Sequence, residues 1–174
     1  MSDKVIFLDR DGVINEKLEG DYVKTIDELK IFPEAFKAIK LLKENDYKLV
    51  LITNQRGIAR GLMTHEDLAT VHDYLQSELN NHGVSIDAIF YCPHDYNQCK
   101  CRKPEIGLFL EAEKIFSIDK SASYMIGDSA SDIEAGRRYG VRTISINDAL
   151  ARADFDCKNI LEAARHIVSV ASDN

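Results

Sequence analysis

The sequence lacks tryptophan, an excess of basic residues and any long apolar run, and each absence excludes a class of protein. Lysine and arginine number 22 against 29 aspartates and glutamates, which gives a formal charge of −7. Because nucleic-acid affinity rests largely on basic side chains that neutralise phosphates, this balance argues against a nucleic-acid partner. No apolar run approaches the roughly 20 residues of a membrane span, and no basic stretch followed by a long apolar core opens the chain. The sequence therefore predicts a cytoplasmic protein that binds neither membrane nor nucleic acid.

The chain also lacks internal repeats and linkers rich in proline, glycine or serine, so residues 1–174 are expected to form a single domain. Short β-branched runs alternate with longer helical patterns. Strands are predicted at 5–8, 48–53, 88–91, 124–126 and 141–146, and helices from 33, from 64 and at 108–116, 132–139 and 160–170. This alternation predicts an α/β fold, with a doubly wound parallel sheet and helices on both faces. Ligands bind such sheets beyond the carboxyl ends of the strands, where polar residues follow each predicted strand.

Two carboxylates, Asp9 and Asp11, directly follow the first predicted strand. Residues two apart in an extended chain point the same way, so both can face one site while Arg10 faces away. Neighbouring carboxylates repel each other unless a cation lies between them, so the pair suits a Mg²⁺ site or a nucleophile with a proton-transfer partner. A simple turn is the alternative, because aspartate and glycine are common turn residues.

Three further segments carry candidate chemistry. They are Thr53-Asn54-Gln55 at the end of the second predicted strand, Arg102-Lys103 before a helix, and Gly127-Asp128-Ser129 after the fourth predicted strand. A hydroxyl with adjacent backbone N–H groups, or a cation, can hold phosphoryl oxygens. Asp128 can complete a magnesium site with Asp9, whereas Asp132 can equally cap the next helix. Each segment also has a plain structural explanation as a cap, a turn or a solvated basic spot.

Three of the four cysteines lie close together, with a histidine among them. Cys92, His94, Cys99 and Cys101 span ten residues. Zinc in structural sites prefers four tetrahedral nitrogen and sulfur ligands, and three cysteines with one histidine are such a set. The segment therefore predicts a Zn²⁺ site. Cys157 stands alone and is expected to be a core residue.

In their order along the chain, these segments resemble the motifs of the haloacid dehalogenase superfamily of aspartate-nucleophile phosphotransferases, over roughly residues 4–146. The matching positions are Asp9-x-Asp11-Gly12-Val13, Thr53, Lys103 and Gly127-Asp128-x3-Asp132. The resemblance implies that Asp9 forms an aspartyl-phosphate and that Asp11 donates and then accepts a proton. It also implies Mg²⁺ held by Asp9, the Asp11 backbone carbonyl and Asp128, with Thr53 and Lys103 on the phosphoryl oxygens.

The cysteine segment resembles the branch of that superfamily that has no large cap domain and carries a zinc-bound loop. Two groups of enzymes share it: the heptose-1,7-bisphosphate 7-phosphatases of surface-polysaccharide precursor synthesis and the histidinol-phosphate phosphatases. The loops after Asp11 and Thr53 are similar to those of the heptose enzymes, which implies a small-molecule sugar bisphosphate as substrate. Histidinol phosphate is the alternative. An enzyme that encloses its substrate with loops alone is expected to work as a monomer.

This resemblance also implies the residues that contact the substrate. They are Glu19, Gly20, Asp21, Tyr22, Asn54, Gln55, Arg56, Arg102 and Ser129, with Arg102 on the second phosphate. The sequence departs from the family pattern at Arg56, where serine is frequent, and at Ser129, where some members have lysine. These departures leave open which anomer is preferred at C1. Arg10 and Arg60 are expected to be structural charges that face away from the site.

Overall fold

The computed structural model describes residues 2–147 and 152–172. Within them the strands are β1 (Lys4–Leu8), β2 (Tyr47–Asn54), β3 (Ala88–Cys92), β4 (Tyr124–Gly127), β5 (Arg142–Ile146) and β6 (Phe155–Cys157). The helices are α1 (Pro33–Glu44), α2 (His65–Asn81), α3 (Gly107–Glu113), α4 (Ala130–Tyr139) and α5 (Ile160–Ser172). Two 3-10 helices, Ile26–Glu28 and Lys120–Ala122, complete these elements. Nowhere in the described residues is a helix both long enough and apolar enough to cross a lipid bilayer.

The strands form one parallel sheet in the order β3-β2-β1-β4-β5-β6. β1 lies near the middle, and its side chains are buried on both faces. Val5 and Phe7 belong to the core shared with α3 and α4, whereas Ile6 and Leu8 belong to the core shared with α1, α2 and α5. An apolar residue at every position is what a strand needs when helices cover both sides of the sheet. The predicted doubly wound α/β fold is therefore confirmed.

The helices begin at the residues that the sequence indicates. Pro33 occupies the first turn of α1, where its missing N–H costs nothing. Thr64 caps α2: its Oγ1 accepts a hydrogen bond from the backbone N–H of Asp67 at 3.0 Å, and the Asp67 carboxylate accepts the Thr64 N–H at 2.7 Å. The predicted capping box is thus confirmed, with aspartate in the place of the usual glutamate.

One strand was not predicted, and the third helix is shorter than predicted. β6 has three residues and pairs only with β5, at the edge of the sheet, so it is too short to show a hydrophobic period. Its attachment relies on polar pairs: the Ser145 hydroxyl donates to the Asp156 carboxylate, and Thr143 Oγ1 donates to Asp154 at 2.9 Å. α3 ends at Glu113 rather than at 116. The other predicted elements agree with the structure to within two residues.

The strand order reverses direction between β1 and β4, because the chain first builds outward through β2 and β3 and then returns to the other side of β1. At such a switch point the loops at the carboxyl ends of the two strands diverge and leave a crevice. Asp9 follows β1 and Asp128 follows β4, so the fold places both carboxylates at this crevice. Cys157 packs in the main core, as predicted.

Candidate active site

A cavity of about 340 Å³ opens at the carboxyl ends of β1 and β4. Its lining includes nine residues that the sequence predicts for the site: Asp9, Asp11, Asp21, Tyr22, Asn54, Arg102, Lys103, Asp128 and Ser129. It also includes Lys17, Leu18, Val23, Tyr96, Ser131 and Asp132. Segments that are far apart in the chain, from the loops after β1, β2, β3 and β4, therefore meet in one place.

Three carboxylates form the floor of the cavity. One oxygen of each of Asp9, Asp128 and Asp132 lies within 4.8 Å of the others. Burial, together with the nearby charges of Asp132 and Asp128, holds the pKa of Asp9 well above its usual range. Asp128 Oδ1 is buried and has no hydrogen-bond partner among residues 2–147 and 152–172. Hard, crowded oxygens with an unsatisfied member are a donor set that fits Mg²⁺.

Gly12 allows the loop after β1 to lie close to Asp128. Its φ of +89° lies in the left-handed region, and a Cβ built on it would lie 2.2 Å from Asp128 Oδ2. Only glycine satisfies both requirements, because it has no side chain and adopts positive φ without strain. The glycine that follows the Asp9-Arg10-Asp11 segment therefore has a packing role as well as a turn role.

Lys103 is the buried cation of the site. Its Nζ donates to Asp9 Oδ1 at 2.9 Å and to the Ile52 carbonyl at 2.8 Å, and it lies 2.6 Å from Asp132 Oδ1. Burial alone would lower the pKa of Lys103, but the Asp132 and Asp9 carboxylates outweigh it and raise the pKa. Lys103 therefore stays charged beside the carboxylate that the sequence predicts as the nucleophile.

Asn54 fixes the backbone of Lys103. Its side-chain amide donates to the Lys103 carbonyl at 3.1 Å, and its Oδ1 accepts the Lys103 N–H at 3.0 Å. Both groups of the amide are used by this backbone contact, so Asn54 attaches the Lys103 segment to the end of β2. The sequence predicts Asn54 as a substrate contact, and the structure adds this positioning contact.

Asp11 lines the cavity, but its carboxylate is held from behind. Arg10 Nη2 donates to Asp11 Oδ1 at 2.9 Å, Asn15 Nδ2 donates to the same oxygen at 3.0 Å, and Gln55 Nε2 donates to Oδ2 at 3.0 Å. Burial raises the pKa of Asp11, yet the Arg10 charge and the three hydrogen bonds outweigh it and lower the pKa. Asp11 is therefore a carboxylate in this arrangement.

The contacts of Arg10 differ in one respect from those that the sequence predicts. The sequence predicts a structural charge that faces away from the site, and the guanidinium does lie outside the cavity lining. It is nevertheless fully buried and binds Asp11, because the turn after β1 folds the next residues back onto the Arg10 carbonyl, which accepts the N–H of Ile14 at 2.8 Å. The side chains of Arg10 and Asp11, which would point to opposite faces in a strand, therefore contact each other in this turn.

His72 supports Arg10 from α2 and was not predicted. Its Nε2 lies 3.1 Å from Arg10 Nη1. Burial, followed by the nearby Arg10 charge, lowers the pKa of His72 to about 3, so the ring is neutral and Nε2 accepts the hydrogen bond. The available signal was its position inside the apolar stripe of α2, between Val71 and Leu75, where a polar ring needs a partner.

Of the described residues predicted to hold phosphate or substrate, Glu19, Gly20, Thr53, Gln55 and Arg56 lie outside the cavity lining. Thr53 is 1% exposed, and its Oγ1 accepts a hydrogen bond from Gln55 Nε2 at 2.8 Å. Gln55 is fully buried, and its amide also donates to Asp11. Arg56 pairs with Asp95. In this structure Thr53 and Gln55 lie outside the cavity and support Asp11 through the Gln55 amide. Arg56 also lies outside the cavity lining.

Lys17 was not predicted and lies over the carboxylate floor, with Nζ 3.1 Å from Asp128 Oδ2. Its own burial lowers the pKa of Lys17, but the Asp128, Asp9 and Asp132 carboxylates together raise it by more, so the net direction is upward. The amine thus already places positive charge where the predicted metal would supply it. No local pattern marks a single loop lysine for this position.

The predicted zinc residues form a compact cluster beside the cavity. Cys99 Sγ lies 3.5 Å from Cys92 Sγ and 3.2 Å from Cys101 Sγ, and His94 Nδ1 lies 3.3 Å from Cys101 Sγ. Burial raises the pKa of Cys99, but hydrogen bonds from the Cys101 thiol and from backbone N–H groups outweigh it and lower the pKa to about 7. Four converging donors, one readily ionised, fit a tetrahedral metal.

The cluster is joined directly to the cavity. The backbone N–H of Arg102 donates to Cys99 Sγ at 3.4 Å, and the next residue is Lys103. The geometry of the sulfur cluster therefore fixes the backbone position from which the side chains of Arg102 and Lys103 extend. A metal that holds the sulfurs together also orders this side of the cavity.

Known proteins are similar to this chain in sequence and in fold. A family model described as haloacid dehalogenase-like hydrolase matches residues 4–140. A D-glycero-beta-D-manno-heptose-1,7-bisphosphate 7-phosphatase from Haemophilus ducreyi is 40% identical over 82% of this chain and 82% of its own. A D-glycero-alpha-D-manno-heptose-1,7-bisphosphate 7-phosphatase from Campylobacter jejuni is 37% identical over 93% of this chain and 94% of its own.

Among solved structures, a D,D-heptose 1,7-bisphosphate phosphatase from B. bronchiseptica, complexed with magnesium and phosphate, superposes with a TM-score of 0.88. It is 31% identical in sequence, and the match covers 96% of this chain and 99% of the other. The resemblance indicated by the sequence motifs is confirmed, and the chain belongs to the haloacid dehalogenase-like hydrolase family.

Proposed function

We propose that this protein is a magnesium-dependent phosphatase that removes the C7 phosphate of D-glycero-D-manno-heptose 1,7-bisphosphate, for the synthesis of heptose precursors of surface polysaccharide. One observation carries the proposal: among its described residues, the cavity that holds Asp9 and Lys103 also holds a cation without an ion-pair partner. Arg102 forms no ion pair with any described residue, and its Nη1 is buried without a hydrogen-bond partner. A guanidinium whose buried Nη1 has no acceptor offers a free site for an anion such as a second phosphate.

The reaction begins at Asp9. Its carboxylate attacks the phosphorus of the C7 phosphate, and the bond to the sugar oxygen breaks as the aspartyl-phosphate forms. Mg²⁺, held by Asp9, Asp128 and the Asp11 backbone carbonyl, would supply positive charge that keeps Asp9 ionised and offsets the charge of the phosphoryl group. Lys103 donates a hydrogen bond to Asp9 Oδ1 and stays charged throughout.

Asp11 carries the proton. In its acid form it gives the proton to the departing sugar oxygen, and it then takes one from the water that attacks the aspartyl-phosphate, which releases phosphate and restores Asp9. Its carboxylate is bound to Arg10, Asn15 and Gln55 here. The proton transfer therefore requires that the side chain turn from these donors into the cavity that it lines.

The charges in the cavity favour a bisphosphate over histidinol phosphate. A sugar bisphosphate brings roughly four negative charges. Arg102 and Lys103 with Mg²⁺ offset charge of that sign, whereas the cationic amine of histidinol phosphate needs a free carboxylate near the second cation. The Tyr96 ring is already in contact with two guanidinium groups, so cations are present at this end of the cavity before a substrate binds.

We make three further proposals, on the metal of the Cys/His cluster, the cellular location and the oligomeric state. The Cys/His cluster binds Zn²⁺, which its donor set favours over Mg²⁺. The protein works in the cytoplasm, where the cluster's thiols stay reduced. It works as a monomer, as expected of an enzyme that encloses its substrate with loops alone.

Phosphate release with Mg²⁺ tests the proposed function. We expect kcat/KM for one heptose bisphosphate anomer to exceed that for histidinol phosphate by at least about 100-fold, worth about 2.7 kcal/mol. Asp9→Asn should lower turnover of every substrate by at least about a thousandfold, while the control Asp73→Asn, at an exposed position on α2, should leave it unchanged. A preference for histidinol phosphate would contradict the substrate assignment, and an active Asp9→Asn enzyme would contradict the mechanism.

A further inference from the structure

The segment between Cys92 and Cys99 carries an exposed aromatic residue that its metal-ligand role does not explain. Tyr96 is 59% exposed and lines the cavity. The guanidinium carbons of Arg56 and Arg102 lie 4.3 and 4.4 Å from the centroid of its ring. Building on the proposed function, we propose that Tyr96 is a positioning residue, which holds Arg102 in the orientation that binds the phosphate remote from Asp9 and so determines the preference for a bisphosphate.

Arg102 needs such support because the charged end of its long side chain has no other fixed partner in the described part of the chain. Among the residues that the structure describes, no carboxylate forms an ion pair with it, and Nη1 donates to no acceptor although it is buried. A free arginine side chain loses conformational entropy when a ligand immobilises it. A side chain that is already held loses less, so the ligand binds more tightly.

A ring face suits this role better than a carboxylate would. A carboxylate would occupy the N–H donors of the guanidinium and cancel its charge. A cation–π contact uses the flat face of the guanidinium and leaves its N–H groups free in their plane. Tyr96 can therefore fix Arg102 without competing with the phosphate.

Arg56 and Asp95 support the ring. Arg56 Nε donates to Asp95 Oδ1, and the same oxygen accepts the backbone N–H of Tyr96 at 2.7 Å. Asp95 therefore offsets the charge of Arg56 and fixes the backbone of the tyrosine. Of the two guanidinium groups on the ring, that of Arg56 is paired with a carboxylate, whereas that of Arg102 forms no ion pair with a described residue.

The test is a set of three variants assayed with two substrates, heptose 1,7-bisphosphate and an aryl phosphate that carries one phosphate. Tyr96→Leu should raise KM for the bisphosphate about tenfold, with kcat within about twofold of wild type, and leave kcat/KM for the aryl phosphate unchanged. Tyr96→Phe keeps the ring and should restore the wild-type KM. Tyr74→Leu, at another exposed tyrosine, should have no effect.

The other outcomes overturn the proposal. Unchanged KM in Tyr96→Leu shows that Arg102 needs no support from the ring. A Tyr96→Phe variant as weak as Tyr96→Leu shows that the hydroxyl binds the substrate directly. An equal loss for both substrates, with loss of metal from the cysteine cluster, shows that Tyr96 only stabilises its loop. Wild-type enzyme with no preference for the bisphosphate contradicts the proposed function and this inference with it, whereas the first three outcomes leave the proposed function intact.

Discussion

At the scale of single residues, the site depends on positions where the backbone leaves no choice of side chain. Gly12 is such a position, because it combines a positive φ with a close approach to Asp128. Gly83 has a φ of +73°, and a Cβ at this position would have no atom within 4 Å, so Gly83 shares the first constraint without the second. Comparing substitutions at Gly12 and Gly83 therefore distinguishes the cost of backbone strain from the cost of crowding at the three carboxylates.

Gly12→Ala should destabilise the fold and weaken magnesium binding together. The left-handed backbone costs about 1–2 kcal/mol for a residue with a Cβ, and the clash with Asp128 adds about 1–3 kcal/mol. Gly83→Ala should show only the first cost. Urea unfolding measures the stability of both variants, and titration of activity with Mg²⁺ should show a raised requirement for Gly12→Ala alone. Equal effects of the two substitutions would contradict the crowding argument.

The sequence identified site residues that directly follow a strand or match a family motif, and it missed several that depend on the three-dimensional fold. Asp9 and Asp128 could be predicted because the ends of parallel strands meet at one edge of the sheet. The contact between Arg10 and His72 joins the turn after β1 to the middle of α2, and no local pattern encodes it. Lys17 and Tyr96 lie in loops whose paths follow from packing rather than from period or spacing.

At the scale of elements, the segment between β3 and α3 closes one side of the cavity. It begins at Cys92, the last residue of β3, and leads through the sulfur cluster to Lys103. The hydrogen bond from the Arg102 N–H to Cys99 and the amide contact of Asn54 hold its far end. A structure held by a few polar contacts opens more easily than one held by buried apolar area.

Removal of the metal from the cysteine cluster should therefore lower activity even when Mg²⁺ is restored. The sulfurs would separate, and Arg102 and Lys103 would lose their fixed origin, with an expected loss of at least about tenfold in kcat/KM. Phosphate release after chelation and readdition of Mg²⁺ measures the effect, and faster amide hydrogen exchange at Arg102 should accompany it. Cys157→Ser, which alters a cysteine outside the cluster, is the control. Full activity of a folded chain shown to be free of zinc would refute the role of the cluster.

The long elements could be predicted, and the short edge strand could not. β1 and β2 show continuous apolar runs because both of their faces are buried, and this pattern is visible in the sequence. β6 has one buried residue, Cys157, and is held by side-chain hydrogen bonds to β5. Three residues are too few to distinguish a strand from a loop, so its place became visible only in the pairing with β5.

At the scale of the whole molecule, one buried imidazole links folding stability to pH. The pKa of His72 is about 3 in the folded chain, against about 6.5 for a free histidine. The unfolded chain therefore binds a proton more readily, so the contribution of His72 is complete above pH 6.5 and is lost progressively as the pH falls towards 3.

We expect the wild-type protein to lose about 2 kcal/mol of stability between pH 7 and pH 5 through this group alone. His72→Gln, which does not titrate, should lack this part of the pH dependence. Urea unfolding at both pH values measures the difference, and His65→Gln, at an exposed position on α2, should behave as the wild type does. If the two histidine variants show the same pH dependence, the pKa of His72 is not depressed in solution.

The central position of β1 has a consequence for the synthesis of the chain. One edge of β1 pairs with β2, which ends at Asn54, but the other edge waits for β4, which ends at Gly127. At about 5–20 residues per second on the ribosome, this edge stays uncovered for roughly 4 to 15 s. The N–H of Asp9 also bonds to the Ile126 carbonyl of β4, so the proposed nucleophile is placed only when that strand arrives. A nascent chain stopped before β4 therefore presents an open apolar strand and no assembled active centre, and we expect it to aggregate unless a chaperone covers it.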